Sequence, residues 1–266
     1  MERELERAAD AGPVDVLALA AHRDDVELTC GGTLVRCADR GHRTAILDLT
    51  RGETGTRGSA DMRGREAERA AGILGVAVRL NAGLPDAGLF NTDASRRRIV
   101  AFLRALRPRT VILPFPRGRH PDHRIASELG RDACYLAGLG RYEVGGGETT
   151  GAGAGEGPAA GGAPPHRPLK VLYALSYRED PLKPTFVVDI AEHFERKMEA
   201  VRCYASQFDG KDAAGEIFPT GQDLYDLIET QSRHYGSLIR RPYGEPYWTE
   251  ETVAVDDIVE LGVRSM

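Results

Sequence analysis

Residues 14–32 read "VDVLALAAHRDDVELTCGG". The apolar half, 14–20, is too apolar and too closely punctuated for a surface helix, and it predicts a short buried strand. A helix is expected next, from about 26 to 40, with Gly41 as its stop. The same alternation then repeats along the chain. Apolar runs at 43–49, 76–80 and 109–114 predict further strands. Helices are expected over 61–74, capped by Ser59 or Asp61 and closed by Gly75, and over 92–106, stopping before Pro108. Another begins at Pro121, since proline suits the first position of a helix. Strands alternating with helices indicate an α/β fold: a Rossmann-like, mostly parallel sheet with helices on both faces.

Residues 143–168 break this pattern with Gly, Ala, Pro and Thr, and predict a flexible surface insertion within a single domain spanning 1–266. Its glycines follow no strand and carry no G-x-x-x-x-G-K, so they are not a phosphate loop. Gly31 and Gly32 are read instead as allowing close helix–sheet packing. Strand-like runs at 170–177 and 185–190 precede helices expected at about 191–205 and 221–238. The tail "EPYWTEETVAVDDIV" (245–259) holds the sole tryptophan, Trp248, and is expected to act as a packing strap.

Composition excludes some classes of function. A net charge of -5 over 266 residues argues against a nucleic-acid partner, because phosphate contacts need clustered positive charge. The opening "MERELERAAD" is charged and has no apolar core for export. No stretch approaches the roughly 20 apolar residues that span a bilayer, so no membrane partner is expected. Cys30, Cys37, Cys134 and Cys203 are scattered, which fits reduced thiols in a cytoplasmic protein. Cys30 and Cys37, seven apart on one helix, are expected as small core residues rather than ligands.

Two clusters carry the chemistry. His22-Arg23-Asp24-Asp25 follows the first strand, and His120-Pro121-Asp122-His123 follows the fourth. Ligands of open parallel sheets bind outside the carboxyl ends of the strands, where the strand order reverses. With an order resembling 3-2-1-4-5, the first and fourth strands are neighbours at that reversal, and the two loops face each other. Either cluster alone would pass for a helix cap with surface histidines. Together they provide two histidines and a carboxylate, the ligand set of a catalytic zinc ion that keeps one position for water. These residues leave open whether Asp24 or Asp25 is the ligand. A non-haem iron oxygenase uses the same ligand types. Its usual spacing has one residue between histidine and acid on an all-β scaffold, whereas two intervene here.

At these residues the chain resembles the LmbE/PIG-L family of metal-dependent N-acetylglucosamine deacetylases, and within it the deacetylases of bacillithiol biosynthesis. The resemblance covers nearly the whole chain. It includes "AHRDDVE" (21–27), "DLTRGETGTRG" (48–58), "MRGREAERAAGILGV" (62–76), "LNAGLPDAGL" (80–89), "RHPDH" (119–123), "PTFVVDI" (184–190), "YASQF" (204–208) and "HYGSLI" (234–239). It implies His22, Asp25 and His123 as zinc ligands, with ferrous iron also acceptable to such a set. Asp24 then matches the general base, and His120 the group that stabilises the tetrahedral intermediate or assists departure of the amine. Asp122 would orient a neighbouring histidine, and Arg63 matches a substrate-binding arginine. Arg119, beside His120, is a second candidate for substrate binding. Arg23 departs from the family, which often has proline or a small residue there.

The implied substrate is N-acetylglucosaminyl-malate, whose two carboxylates suit an arginine fork. Other N-acetyl sugars or thiol conjugates, and a metal-binding protein without catalysis, are the alternatives. The resemblance also implies a homo-oligomer.

Overall fold

The computed structural model describes residues 1–144, 163–175, 183–209 and 223–263. In chain order the elements are α1 (Glu2–Ala11), β1 (Val16–Ala20), α2 (Asp25–Asp39), β2 (Thr44–Asp48), α3 (Ala60–Leu74), β3 (Val78–Asn81) and α4 (Asp93–Leu106). There follow β4 (Thr110–Pro114), α5 (Pro121–Ala137), β5 (Lys170–Ala174), β6 (Phe186–Asp189), α6 (Phe194–Arg202), α7 (Ala205–Phe208), α8 (Leu224–Leu238) and β7 (Gly244–Trp248).

Seven strands form one sheet in the order β3-β2-β1-β4-β5-β7-β6. The first five in that order run parallel, and β7 lies antiparallel to both β5 and β6. Both faces of the parallel part are covered, as such sheets require. Leu17, Leu19, Leu47, Val111 and Leu113 point into one core with Phe102 and Leu103 of α4 and Leu129 of α5. The alternate residues Val16, Ala18, Ile46 and Ile112 point into the other, with Leu34 of α2 and Leu74 of α3. The predicted α/β architecture and the neighbouring placement of β1 and β4 are therefore observed.

Local signals act as expected at several helix ends. Ser59 Oγ accepts from Met62 N at 3.1 Å, which opens α3, and Gly75 closes it at φ 72°. Thr92 Oγ1 accepts from Ser95 N at 3.1 Å, so the helix expected from 92 begins one residue later behind a cap. The helix expected at 191–205 is shorter, ending at Arg202, with the turn α7 following.

Two elements differ more. The opening charged segment is the helix α1, which buries Ala8 and uses Glu4 Oε2 to accept the backbone N–H of Asn81 at 3.0 Å. The tail does not begin as a strap: residues 244–248 are a strand inserted between β5 and β6, burying Glu245 and Tyr247. Of the insertion expected at 143–168, residues 145–162 lie outside the described residues, as do 176–177 of the predicted strand and 221–222 of the predicted helix. No described helix is long and apolar enough to cross a membrane.

The α2 helix is broken at Cys30, whose φ and ψ of -139° and 15° are non-helical. The break frees backbone N–H groups, which a buried carboxylate takes up. Glu245 accepts from Gly32 N at 2.9 Å and from Thr33 N at 2.7 Å, and pairs with Lys197 Nζ at 2.7 Å. A Cβ on Gly32 would come within 2.9 Å of Ile190, so the expected close packing occurs here.

Candidate metal centre

Each parallel strand delivers a loop to the same end of the sheet. The loop after β1 carries His22 and Asp24, Asp25 opens α2 directly behind it, and the loop after β3 carries Asp86. His120, Asp122 and His123 follow β4, with His120 as the N-cap of α5. Asp24 occupies the N-cap of α2, yet its side chain makes no capping bond, so its carboxylate is spared for another partner.

Three side chains converge on one point. His123 Nε2 lies 3.3 Å from His22 Nδ1 and 3.1 Å from Asp25 Oδ1. His22 Nδ1 lies 3.5 Å from Asp25 Oδ2. An ion held at about 2.0–2.1 Å in a tetrahedron sets its ligand atoms about 3.3 Å apart, close to the His22–His123 and His123–Asp25 Oδ1 spacings, while Asp25 Oδ2 also accepts the backbone N–H of His22 at 2.9 Å. None of the described cysteines joins a candidate cluster; of the two expected as small core residues, Cys30 is buried and Cys37 is half-buried against the same core. Two further groupings of possible ligand atoms lie within 4.8 Å among the described residues, His22 with His120 and His123, and His22 with Asp86 and Asp122. His120 differs from the other two histidines in its own hydrogen bond: its Nδ1 accepts from Asp122 N at 3.2 Å. In the neutral ring this leaves the proton on Nε2.

The charges form a tightly coupled group. Burial works against charge on His22, but Asp25, Asp122 and Asp86 outweigh it and hold its pKa well above the usual histidine range. Burial likewise opposes ionisation of Asp25, and His123 and His22 overcome it, so the carboxyl is held well below its ordinary value. His120 moves the other way: partial burial and the two neighbouring imidazoles lower its pKa, favouring the neutral ring.

Around this triangle stand the remaining expected residues. Asp24 faces Arg63, with Oδ2 3.5 Å from Nη2. Arg63 is buried on α3 and also donates to Gly52 O at 3.1 Å, while its Nε finds no partner among the described residues. Gly52 adopts φ 69°, and a Cβ there would overlap the Arg63 guanidinium. Arg119 is exposed beside His120. Asp122 is buried and turned towards His22, with Oδ2 3.6 Å from Nε2, so the histidine it faces is a member of the triangle.

Comparison with known proteins gives the family of the chain. Residues 17–134 match the family described as "PIG-L: GlcNAc-PI de-N-acetylase". The diacetylchitobiose deacetylase of Thermococcus kodakarensis is 30% identical over 244 residues, covering 86% of this chain and 80% of that protein. The chain belongs to the PIG-L family. Within it, the 1D-myo-inositol 2-acetamido-2-deoxy-alpha-D-glucopyranoside deacetylase of Rhodococcus opacus is 31% identical over 163 residues, covering 48% of this chain and 55% of that one. Among solved structures, a conserved protein of Thermus thermophilus superposes with a TM-score of 0.75 at 34% identity, over 91% of this chain and 98% of that one.

This PIG-L chain also uses residues that its sequence did not single out. Asp86 Oδ1 lies 3.3 Å from His22 Nε2, and its Oδ2 accepts from both the N–H and the hydroxyl of Thr54, at 2.8 and 2.6 Å. Below the site, buried Arg79 binds Asp48 at 2.8 Å and Glu27 at 2.5 Å and donates to the carbonyl of Arg23, which also accepts from Tyr204. These bonds fasten the 22–25 loop from beneath. Arg23 itself donates to the carbonyl of Ala60 at the start of α3, so its side chain lies against that helix.

Proposed function

We propose that the protein is a zinc-dependent hydrolase that removes the N-acetyl group from a GlcNAc-type sugar, with N-acetylglucosaminyl-malate of bacillithiol biosynthesis as its substrate. The observation that carries this reading is the convergence of His22, Asp25 and His123, with the His120 ring 4.7 Å from that of His22 and Asp24 adjoining Asp25 in the chain. A divalent cation held by those three residues supplies a Lewis acid and a water of lowered pKa, and ferrous iron suits the same ligands.

The side chains around it divide the remaining work. Asp24 takes a proton from the water that attacks the acetyl carbonyl, and Arg63 keeps that carboxylate in place while binding substrate. His120, with its proton on Nε2, donates to the oxyanion that forms at the carbonyl. Asp122 and Asp86 fix the ring of His22 through its second nitrogen. Hydroxide adds to the acyl carbon, the C–N bond breaks, and the nitrogen leaves with a proton. The products are acetate and a free amino sugar. Arg119, exposed beside His120, would meet a carboxylate of the malate group. The enzyme is taken to work in the cytoplasm as a homo-oligomer.

A second substrate reading comes from the relative that matches most of the chain, an enzyme named for diacetylchitobiose. A substrate panel separates the two. Acetate release from N-acetylglucosaminyl-malate at a kcat/KM at least tenfold above that for diacetylchitobiose supports the first. The reverse order supports the second, and no acetate from any N-acetyl sugar leaves a metal-binding protein without this catalysis.

A further inference from the structure

A cavity of about 150 Å³ opens on the corner formed by Asp25, His120 and His123. Away from those three the wall is largely apolar, with Leu28 of α2, Ile112 of β4, Phe115 and Ala174 of β5. Its remaining polar side chains are Thr29 and Arg119. Thr29 spends its hydroxyl on the carbonyl of Asp25, at 2.7 Å, and Arg119 lies at the exposed rim. The space is built rather than incidental: Cys30, where α2 breaks, lines it, and the buried Glu245–Lys197 pair secures that break.

Two groups flank the carbonyl carbon of any amide cleaved at this corner, the amino sugar and the acyl chain. A sugar is ringed with hydroxyls that need polar partners, and an apolar wall offers none. An acetyl methyl fills about the space of one water, roughly 30 Å³. An apolar cavity of the size found here takes a benzene-sized molecule.

We propose that this cavity is an acyl pocket, and that the protein removes N-acyl chains of about four to six carbons from an amino sugar more efficiently than it removes acetyl. This rests on the amide hydrolysis proposed above, keeps its amino-sugar half, and replaces acetyl by a longer chain as the preferred acyl group. The step is the same hydrolysis: hydroxide joins the acyl carbon, the amine leaves protonated, and a short-chain carboxylate forms with no further reactant.

The test is a series of N-acyl glucosamines (acetyl, butanoyl, hexanoyl, decanoyl) with the metal-loaded protein, following release of the amine. The kcat/KM is expected to rise about fourfold for each buried methylene up to the six-carbon chain and to fall for decanoyl. A steady fall from acetyl onward overturns the proposal. Ala174→Leu narrows the cavity away from the reacting groups; it should cut hexanoyl turnover tenfold or more and leave acetyl within about twofold. Equal losses for both chains count against an acyl pocket. Binding without turnover provides an independent measure: hexanoate should bind the metal-loaded protein at least tenfold more tightly than acetate, and equal affinities overturn the proposal. Should no N-acyl sugar be hydrolysed, the deacylase chemistry fails while the hexanoate–acetate comparison still decides what the cavity accepts.

Discussion

His123 Nε2 stands 3.3 Å from His22 Nδ1, although 101 residues separate them in the chain. Two imidazole nitrogens so close, with Asp25 Oδ1 only 3.1 Å from one of them, form a corner suited to a shared ion. The parallel pairing of β1 with β4 brings them there, since each histidine follows the carboxyl end of its strand.

Asp24 lies outside the triangle and is held by Arg63. Asp24→Asn should therefore keep the metal content of the wild type while lowering kcat by roughly 10²–10⁴, the usual scale for general-base help. Metal analysis and steady-state kinetics on the same preparation check this, and a fully active variant removes Asp24 from the role of base.

Asp86 shares the second nitrogen of His22 with Asp122, and lies nearer to it, at 3.3 against 3.6 Å. Carboxylates in this position orient a ligating histidine and raise its basicity. Asp86→Ala is expected to weaken metal binding about 10- to 100-fold, read by competition with a chelator of known affinity. Unchanged affinity would assign the orienting work to Asp122 alone.

Metal uptake should release protons. Burial disfavours a charged His22, yet Asp25, Asp122 and Asp86 raise its pKa well above the ordinary value of 6.5, and Asp25 also raises that of His123, which favours the protonated rings in the metal-free site. Ligation through Nδ1 requires the neutral ring. Affinity should therefore climb as pH rises through the raised value and fall in acid. Calorimetric titration in two buffers of different ionisation enthalpy should show a net release of protons on metal binding near pH 7. Heats that do not depend on the buffer contradict this.

The Lys197–Glu245 pair is almost wholly buried, with side-chain exposures of 2% and 1%. Removing one partner strands the other charge and leaves the amides of Gly32 and Thr33 with a disturbed acceptor. Lys197→Met should cost about 3–5 kcal/mol in denaturant unfolding, the usual penalty for an orphaned buried charge. A loss below about 1 kcal/mol would show that the pair contributes little to holding the broken α2.

Much of this architecture was legible in the sequence because it is written in local periodicity. The apolar runs that became β1 to β4, the cap Ser59, and the two histidine clusters need only their neighbours to be read. What was missed depends on tertiary pairing. Residues 244–248 carry Pro246 and begin with a glycine, both poor strand signals, and they become a strand because β5 and β6 offer open edges on either side. Asp86 sits in a loop with no spacing that links it to His22, and only the packing of the loop after β3 against that after β1 joins them. The α1 helix is amphipathic, but its charge density concealed the few positions, such as Ala8, that face the core.

The most direct test of the shared ion is anomalous diffraction from zinc-loaded crystals, recorded on both sides of the zinc absorption edge. One strong peak is expected about 2.0–2.2 Å from His22 Nδ1, Asp25 and His123 Nε2, with His120 outside bonding distance. A peak seated between His22, Asp86 and Asp122 instead, or no peak at this end of the sheet, would contradict it.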